Sequence, residues 1–315
     1  MKFLLSLICT LFLITNIVAQ DIQELGEINW LRDYGEAIAE SSASDKPILI
    51  LFQEVPGCAT CRNYGDNVLS DPLLVDVIEH YFVPLAIYNN KGGADKKILD
   101  KYKEPTWNNP VVRIVNGEGK NLINRISGNY SSAGLLDGIV QSFTERGMII
   151  PNDIRLLHEI LNTNPISEST FSMFCFWSGE KVYGKLEGVY STAAGWQDGR
   201  EVVKVVYDPN LISEKELYSK GRESNCADDK FENSNKFRID KDPKYYLKNS
   251  KYKILAMHPL QAARINSLLG NGIKDVSDWL FPSQKLAMKN SNSKQSLYDE
   301  SFAEAWEEMK SGLEK

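Results

Sequence analysis

The run KPILILF, residues 46–52, leads directly into VPGCATC, which carries Cys58 and Cys61. A short, β-rich apolar run bounded by Pro47 and polar residues reads as a buried strand. With a helix starting at the Cys-x-x-Cys, the first thiol meets the unpaired amides and the positive dipole end of that helix, which favour its thiolate. The second thiol, one turn further on, can attack a mixed disulfide and release the product. The pattern points to dithiol–disulfide exchange. The competing uses of such a pair are a structural disulfide and half of a zinc site. A zinc site needs two more ligands, and His80, His158 and His258 show no ligand spacing. No metal and no cofactor is therefore expected.

The remaining cysteines extend this reading. Of five in the chain, Cys9 lies in MKFLLSLICTLFLITNIVAQ, residues 1–20, which reads as a secretory signal: a charged start at Lys2, an apolar run from Phe3, and small Ala19 before Gln20. A retained single-pass anchor and a lipidated cysteine are the alternatives. Cleavage near Gln20 leaves an exported protein, periplasmic or secreted, with no later apolar run long enough to span a membrane. The other four, Cys58, Cys61, Cys175 and Cys226, are too few to staple a fold of 315 residues. They fall as one tight pair and one wide pair, which suggests two redox pairs on two domains. A formal net charge of -6 and the lack of a long Lys/Arg block argue against a nucleic-acid partner.

The chain divides in the same way. A helical stretch at residues 30–40 precedes the strand. An amphipathic stretch covers 63–80, the strand FVPLAIY follows, a helix covers 94–102, and VVRIV and KNLINRI read as paired strands about the turn NGEG. Helical spacing resumes at 131–146. This order is mixed α/β. Beyond a connecting helix at 150–164, residues 170–174 read as a strand, 177–186 as a helix, 188–195 and 201–207 as strands about QDGR, and a helix starts at Ser213. That order is a split βαβ, ferredoxin-like core. Residues 220–242 are polar and read as loop. The amphipathic SFAEAWEEMKSGL near the C-terminus has an apolar face to dock on the body. The expected division is a signal at 1–20, a first domain at 21–149, a linker helix at 150–168, a second domain at 169–281 and a tail helix at 282–315.

In FSMFCFWSGE, Cys175 stands at a strand-to-helix junction, so a thiolate there meets amide donors while Phe176 and Trp177 can wall an apolar pocket beside the sulfur. Such a pocket suits a soft thioether bearing one polar atom. Residue types alone leave open a plainer role for Cys175, a small buried hydrophobe among core aromatics.

Residues 45–143, above all KPILILFQEVPGCATC, resemble the thioredoxin superfamily. The resemblance implies a thioredoxin fold and a cis-proline facing the dithiol, a position matched by Pro110 in TWNNPVVRIV. The family's buried acid on the strand before the dithiol has no counterpart in ILILF, and Glu54 stands nearest. Residues 170–218 are similar to peptide methionine sulfoxide reductase A. FCFWSGE matches its Gly-Cys-Phe-Trp-Gly signature, LEGVYSTAAGW its Gly-Val-x-x-Thr strand, and REVVKVVYDP its acid-led Tyr-Asp-Pro strand. This second resemblance implies that Cys175 attacks a sulfoxide sulfur, that Phe176 and Trp177 hold the methyl group, and that Glu201 protonates the departing oxygen. A sulfenic acid on Cys175 follows, for Cys226 to resolve as a disulfide and for Cys58 and Cys61 to reduce. Two family segments are missing. Only four residues separate Trp196 from Glu201, where the family carries a tyrosine that binds the oxide, and an Asp-x-Gly-x-Gln-Tyr-Arg-Ser segment is absent. Tyr245, Tyr246 and Tyr252 are the candidates for the lost hydroxyl.

The resulting expectation is an exported oxidoreductase acting on sulfur groups, α/β and α+β in class, with an N-terminal thioredoxin fold and a shortened ferredoxin-like, reductase A-like domain. Its partners are oxidised-methionine proteins or peptides, or free methionine sulfoxide, together with an upstream dithiol reductant, and its role is protein repair. The rival reading is a thiol–disulfide oxidoreductase whose second domain is inactive and recognises clients.

Overall fold

The computed structural model describes residues 22–107, 110–231, 236–290 and 295–313. The leader at 1–20, with Cys9, lies outside the described residues. Strands β1 (Ile48–Gln53), β2 (Val83–Tyr88) and β3 (Val111–Val115) form a sheet in the order β2-β1-β3, with β1 parallel to β2 and antiparallel to β3. All six residues of β1 are buried. A continuous apolar strand of this kind requires cover on both faces. One face carries α1 (Tyr34–Ser44) and α4 (Ala94–Tyr102), which bring Ala37 and Leu99 against Ile48, Ile50 and Phe52. The opposite face, with Leu49 and Leu51, is covered by α3 (Pro72–Tyr81), α5 (Ser132–Glu145) and α6 (Asn152–Asn162). Helix α2 (Ala59–Asn67) starts at the cysteine pair.

Three local expectations change. The amphipathic stretch at 63–80 is two helices: α2 ends at Asn67, and Asp71 accepts the N–H groups of Leu73 and Leu74 to cap α3. Pro72 opens that first turn, the place in a helix where a missing N–H costs nothing. The helix expected at 30–40 starts at Tyr34, where Asp33 accepts the Glu36 N–H. KNLINRI is no full strand; it meets β3 through the single bridges Val115 to Asn121 and Val112 to Ile126.

The second sheet holds β4 (Ser167–Met173), β5 (Val189–Gln197), β6 (Arg200–Tyr207), β7 (Ala227–Phe231) and β8 (Arg238–Ile239), in the antiparallel order β7-β4-β6-β5-β8. With α7 (Phe176–Tyr183) after β4 and α8 (Glu214–Glu223) after β6, its first four strands are the expected split βαβ. The loop reading of 220–242 fails here. Helix α8 runs to Glu223, and ADDKF is β7, paired with β4. An edge strand tolerates charge, so it shows no apolar alternation in the sequence. Phe171, Met173, Phe176, Tyr183, Val203, Val205 and Leu217 form this unit's own core.

The C-terminal helices α9 (Tyr245–Lys248), α10 (Pro259–Gly270), α11 (Pro282–Asn290) and α12 (Phe302–Ser311) turn back on the first unit. Leu247, Leu260, Ile265, Phe281 and Trp306 share one cluster with Leu49 and Leu51. The tail helix therefore docks, with Trp306 only 1% exposed. Helix α10 bridges the units. Arg264 pairs with Glu159 of α6 at 2.5 Å, and its Nε donates to the Gly184 carbonyl at the end of α7. Ser267 donates to the Lys181 carbonyl. No helix among the described residues is long and apolar enough to cross a membrane.

Candidate active site

The four described cysteines fall at two places in the fold, Cys58 with Cys61 at the start of α2 and Cys175 with Cys226 where β4 and β7 run side by side. The first sits where β1 ends, on a loop held from several sides. Asn90 Oδ1 accepts the Val55 N–H at 3.2 Å, while its Nδ2 donates to the Pro56 carbonyl at 3.1 Å. Glu24 Oε1 accepts the Gly57 N–H at 2.8 Å, and Arg62 Nη1 donates to the Gly57 carbonyl at 2.6 Å. Within this loop the Val55–Pro56 peptide is cis. Position 57 has no room for a side chain: an added Cβ would lie 2.4 Å from the Glu54 carbonyl oxygen and 2.6 Å from Cys61 Cβ. Glycine here lets the loop lie directly over the second cysteine.

Cys58 is exposed at the N-cap of α2, Cys61 is fully buried, and their sulfurs are 3.7 Å apart. The two thiols are electrostatically unequal. The Cys61 N–H bonds to the Cys58 sulfur and holds its pKa below the ordinary 9.0, while burial pushes the Cys61 thiol up to about 11. This arrangement suits attack by Cys58 and resolution by Cys61. A buried carboxylate missing from ILILF is present after all. Glu24, 6% exposed, comes from the 3-10 turn Gln23–Leu25, whose Glu24 carbonyl also accepts from Gln53 Nε2. Nothing local to the dithiol motif marks so distant a residue. Glu54 remains close as well, with a carboxylate oxygen within 4.8 Å of both sulfurs. Val111 pairs with Phe52, so Pro110, buried just before it, lies at the sheet end from which the dithiol loop departs. Asn109, and with it the Asn109–Pro110 peptide, lies outside the described residues.

The second site lies at the head of α7. Cys175 is the N-cap, partly exposed, and its carbonyl accepts the Gly179 N–H at 3.0 Å to close the first turn. Glu201, second residue of β6, accepts the Phe176 N–H through Oε2 at 2.8 Å. A carboxyl group and the sulfur thus share one helix end. The Phe176 ring packs on Trp177 and on Trp196, each with centroids 5.4 Å away. Trp177 in turn stacks on Tyr245 at 4.1 Å, and Tyr245 meets Tyr246 at 5.6 Å. Trp177 Nε1 is buried with no acceptor among the described residues. Burial pushes the Tyr246 phenol up, and the Cys175 thiol adds to that shift. Of the three tyrosine candidates, Tyr245 and Tyr246 therefore reach this site, and Tyr252 does not. Tyr252 is buried in the first core, where it donates to Asp275 and accepts the Val276 N–H.

Cys226 stands just before β7. The Phe174 N–H donates to its carbonyl at 2.9 Å, which sets the backbones leading to the two cysteines side by side. The β4–β7 register slips at Ser172/Met173, an irregularity that re-aims the chain next to the site. Burial raises the Cys226 thiol; the Lys181 ammonium opposes this and Cys175 reinforces it. Behind the aromatic wall, Glu180 is fully buried, its carboxylate accepting the N–H groups of Ala194 at 3.1 Å and Lys244 at 2.8 Å. Burial pushes its pKa up to about 7, and sequence reasoning missed it as an ordinary helix glutamate.

Comparison with known proteins agrees with both resemblances. A thioredoxin-like family model matches residues 29–117. Peptide methionine sulfoxide reductase MsrA of Cronobacter sakazakii is 42% identical over 64 residues, 15% of this chain and 30% of that protein. The Shigella boydii reductase of the same name is 32% identical over 94 residues, 22% of this chain and 44% of that protein. The chain thus spans less than half the length of these curated relatives. A solved structure titled DsbH Oxidoreductase covers 41% of this chain and 93% of its own at 17% identity, with a TM-score of 0.33, too loose a superposition to inform fold or chemistry. The chain joins a thioredoxin-like segment to one similar to methionine sulfoxide reductase A.

Proposed function

We propose that this chain is an exported oxidoreductase in which Cys175 reduces methionine sulfoxide in proteins or peptides and the Cys58/Cys61 dithiol renews it. The observation that carries this reading is the grouping at the head of α7: the Cys175 thiol, the Glu201 carboxyl on the adjoining N–H, and the Phe176, Trp177, Trp196 and Tyr245 rings. Cys175 attacks the sulfoxide sulfur while Glu201 gives a proton to the oxygen, which by itself is a poor leaving group. The protonated oxygen departs as water, leaving the substrate sulfur bonded to Cys175 as a sulfonium. Water then attacks the Cys175 sulfur, the thioether leaves with the electron pair of that bond, and Cys175 is left as a sulfenic acid. Cys226 attacks that sulfur, water departs and a Cys175–Cys226 disulfide forms. Cys58 then attacks the disulfide, Cys61 closes on Cys58, and the two electrons come finally from an external dithiol. Phe176 and Trp177 receive the methyl group, and Tyr245 and Tyr246 take the place of the family's missing tyrosine. Residues 21–149 and 169–281 act as donor and acceptor units, joined by 150–168 and backed by the tail at 282–315, and the signal at 1–20 delivers them outside the cytosol.

Turnover of a peptide methionine sulfoxide with dithiothreitol tests the reading. The expected result is loss of turnover in Cys175→Ser and retention in Cys58→Ser/Cys61→Ser, which bypasses the internal donor. No turnover by the unmodified chain, with disulfide reduction intact, would leave the second unit as a client-recognition module and overturn the proposal.

A further inference from the structure

We propose that the reduced dithiol loop is also a zinc site, in which Cys58, Cys61 and Glu54 hold one Zn2+ and leave a fourth position open. The spacing of residues along the chain shows only two ligands here; the fold supplies the third. One carboxylate oxygen of Glu54 and the two sulfurs all lie within 4.8 Å of one another. Tetrahedral zinc with Zn–S bonds of about 2.3 Å sets two sulfur ligands about 3.8 Å apart. The observed separation of 3.7 Å matches that edge without moving either cysteine.

Three further features favour the metal. The loop is already held by Asn90, Glu24 and Arg62, so little ordering remains to be done on binding. The Cys58 sulfur accepts N–H bonds from Cys61 and Thr60, the kind of outer contact that orients metal thiolates. Cys58 is exposed, which gives the ion a path in. Zinc has no redox chemistry of its own, and two thiolates with one carboxylate suit it better than magnesium or calcium. Metal and disulfide compete for the same two sulfurs. Zinc binding therefore keeps the pair reduced but silent in exchange, independently of what Cys175 acts upon.

The test uses the full chain reduced with a phosphine, freed of reductant without air, and titrated with Zn2+ against a chromophoric chelator, with Co2+ as a spectroscopic stand-in. One zinc per chain is expected, with a near-ultraviolet thiolate-to-cobalt band that disappears in Cys58→Ser/Cys61→Ser and persists in Cys175→Ser/Cys226→Ser. Glu54→Gln should weaken zinc binding by at least about tenfold. Zinc should stop reduction of a protein disulfide, and a chelator should restore it. Absence of stoichiometric binding, binding that follows Cys175/Cys226 instead, or an unchanged affinity in Glu54→Gln would each overturn the proposal.

Discussion

The two cysteine sites solve the same problem, a thiol at a helix start, with opposite means. Cys58 and Cys61 lie one turn apart on a single loop, and their inequality comes from burial: one sulfur is exposed at the helix end and the other is covered by Gly57. Cys175 and Cys226 come from separate elements, both partly exposed, and the backbones leading to them lie side by side because β7 pairs with β4. Aromatic rings gather at the second pair's helix start, where Phe176 touches Trp177 and Trp196. A bare, asymmetric dithiol suits exchange with many disulfides. A thiol at a helix start that also carries a ring cluster and a carboxyl suits one small polar group on an apolar substrate.

The sharpest break of this comparison is Glu201→Gln. Loss of its proton should lower sulfoxide turnover by about 10²- to 10⁴-fold and leave disulfide reduction at Cys58/Cys61 unchanged, as steady-state assays of the two reactions on one preparation would show. Equal loss of both would mean that the sites are not separable. Next comes thiol labelling against pH. The Cys58 thiol is held below 9.0 by the Cys61 N–H and burial lifts Cys61 to about 11, so near pH 8 the thiolate should reside on Cys58 rather than Cys61. Mass mapping after brief iodoacetamide treatment should find the label on Cys58, and similar labelling of Cys61 would remove the asymmetry.

Gly57→Ala should act on the first site alone. Its Cβ meets the Glu54 carbonyl and Cys61 Cβ, so overpacking should cost about 1–3 kcal/mol and slow protein-disulfide reduction while dithiothreitol-driven sulfoxide turnover continues. Denaturant midpoints and both assays would test this. The smallest effect belongs to Glu180. Its folded pKa of about 7 lies above the ordinary 4.5, so its contribution to stability is fully present below 4.5 and is lost as pH rises through 7. The stability of the wild type relative to Glu180→Gln, measured by urea unfolding, should therefore decline between pH 5 and pH 8. A difference independent of pH would exclude a buried titrating carboxyl at this position.

The dithiol motif, Cys175, its aromatic neighbours and the acid-led strand were legible because each is local: a strand, a helix start and the residues between them fall within a few turns of chain. The class of both sheets was legible for the same reason, since alternation and apolar runs report burial directly. What stayed hidden depends on contacts between distant segments. Glu24 reaches the dithiol loop from a turn far upstream, and Tyr245 reaches Trp177 from a helix well beyond the second sheet. Strand β7 was masked because an edge strand can be charged, so ADDKF shows no periodicity although its pairing with β4 sets where Cys226 stands.

Residue order by itself determined that Cys58 and Cys175 each stand at a helix start, because helix starts and neighbouring side chains are short-range properties. Tertiary structure alone decided which groups surround each sulfur. Pairing, burial and the bridge through α10 are settled by the total apolar area that the folded chain can hide, and no window of sequence contains that quantity.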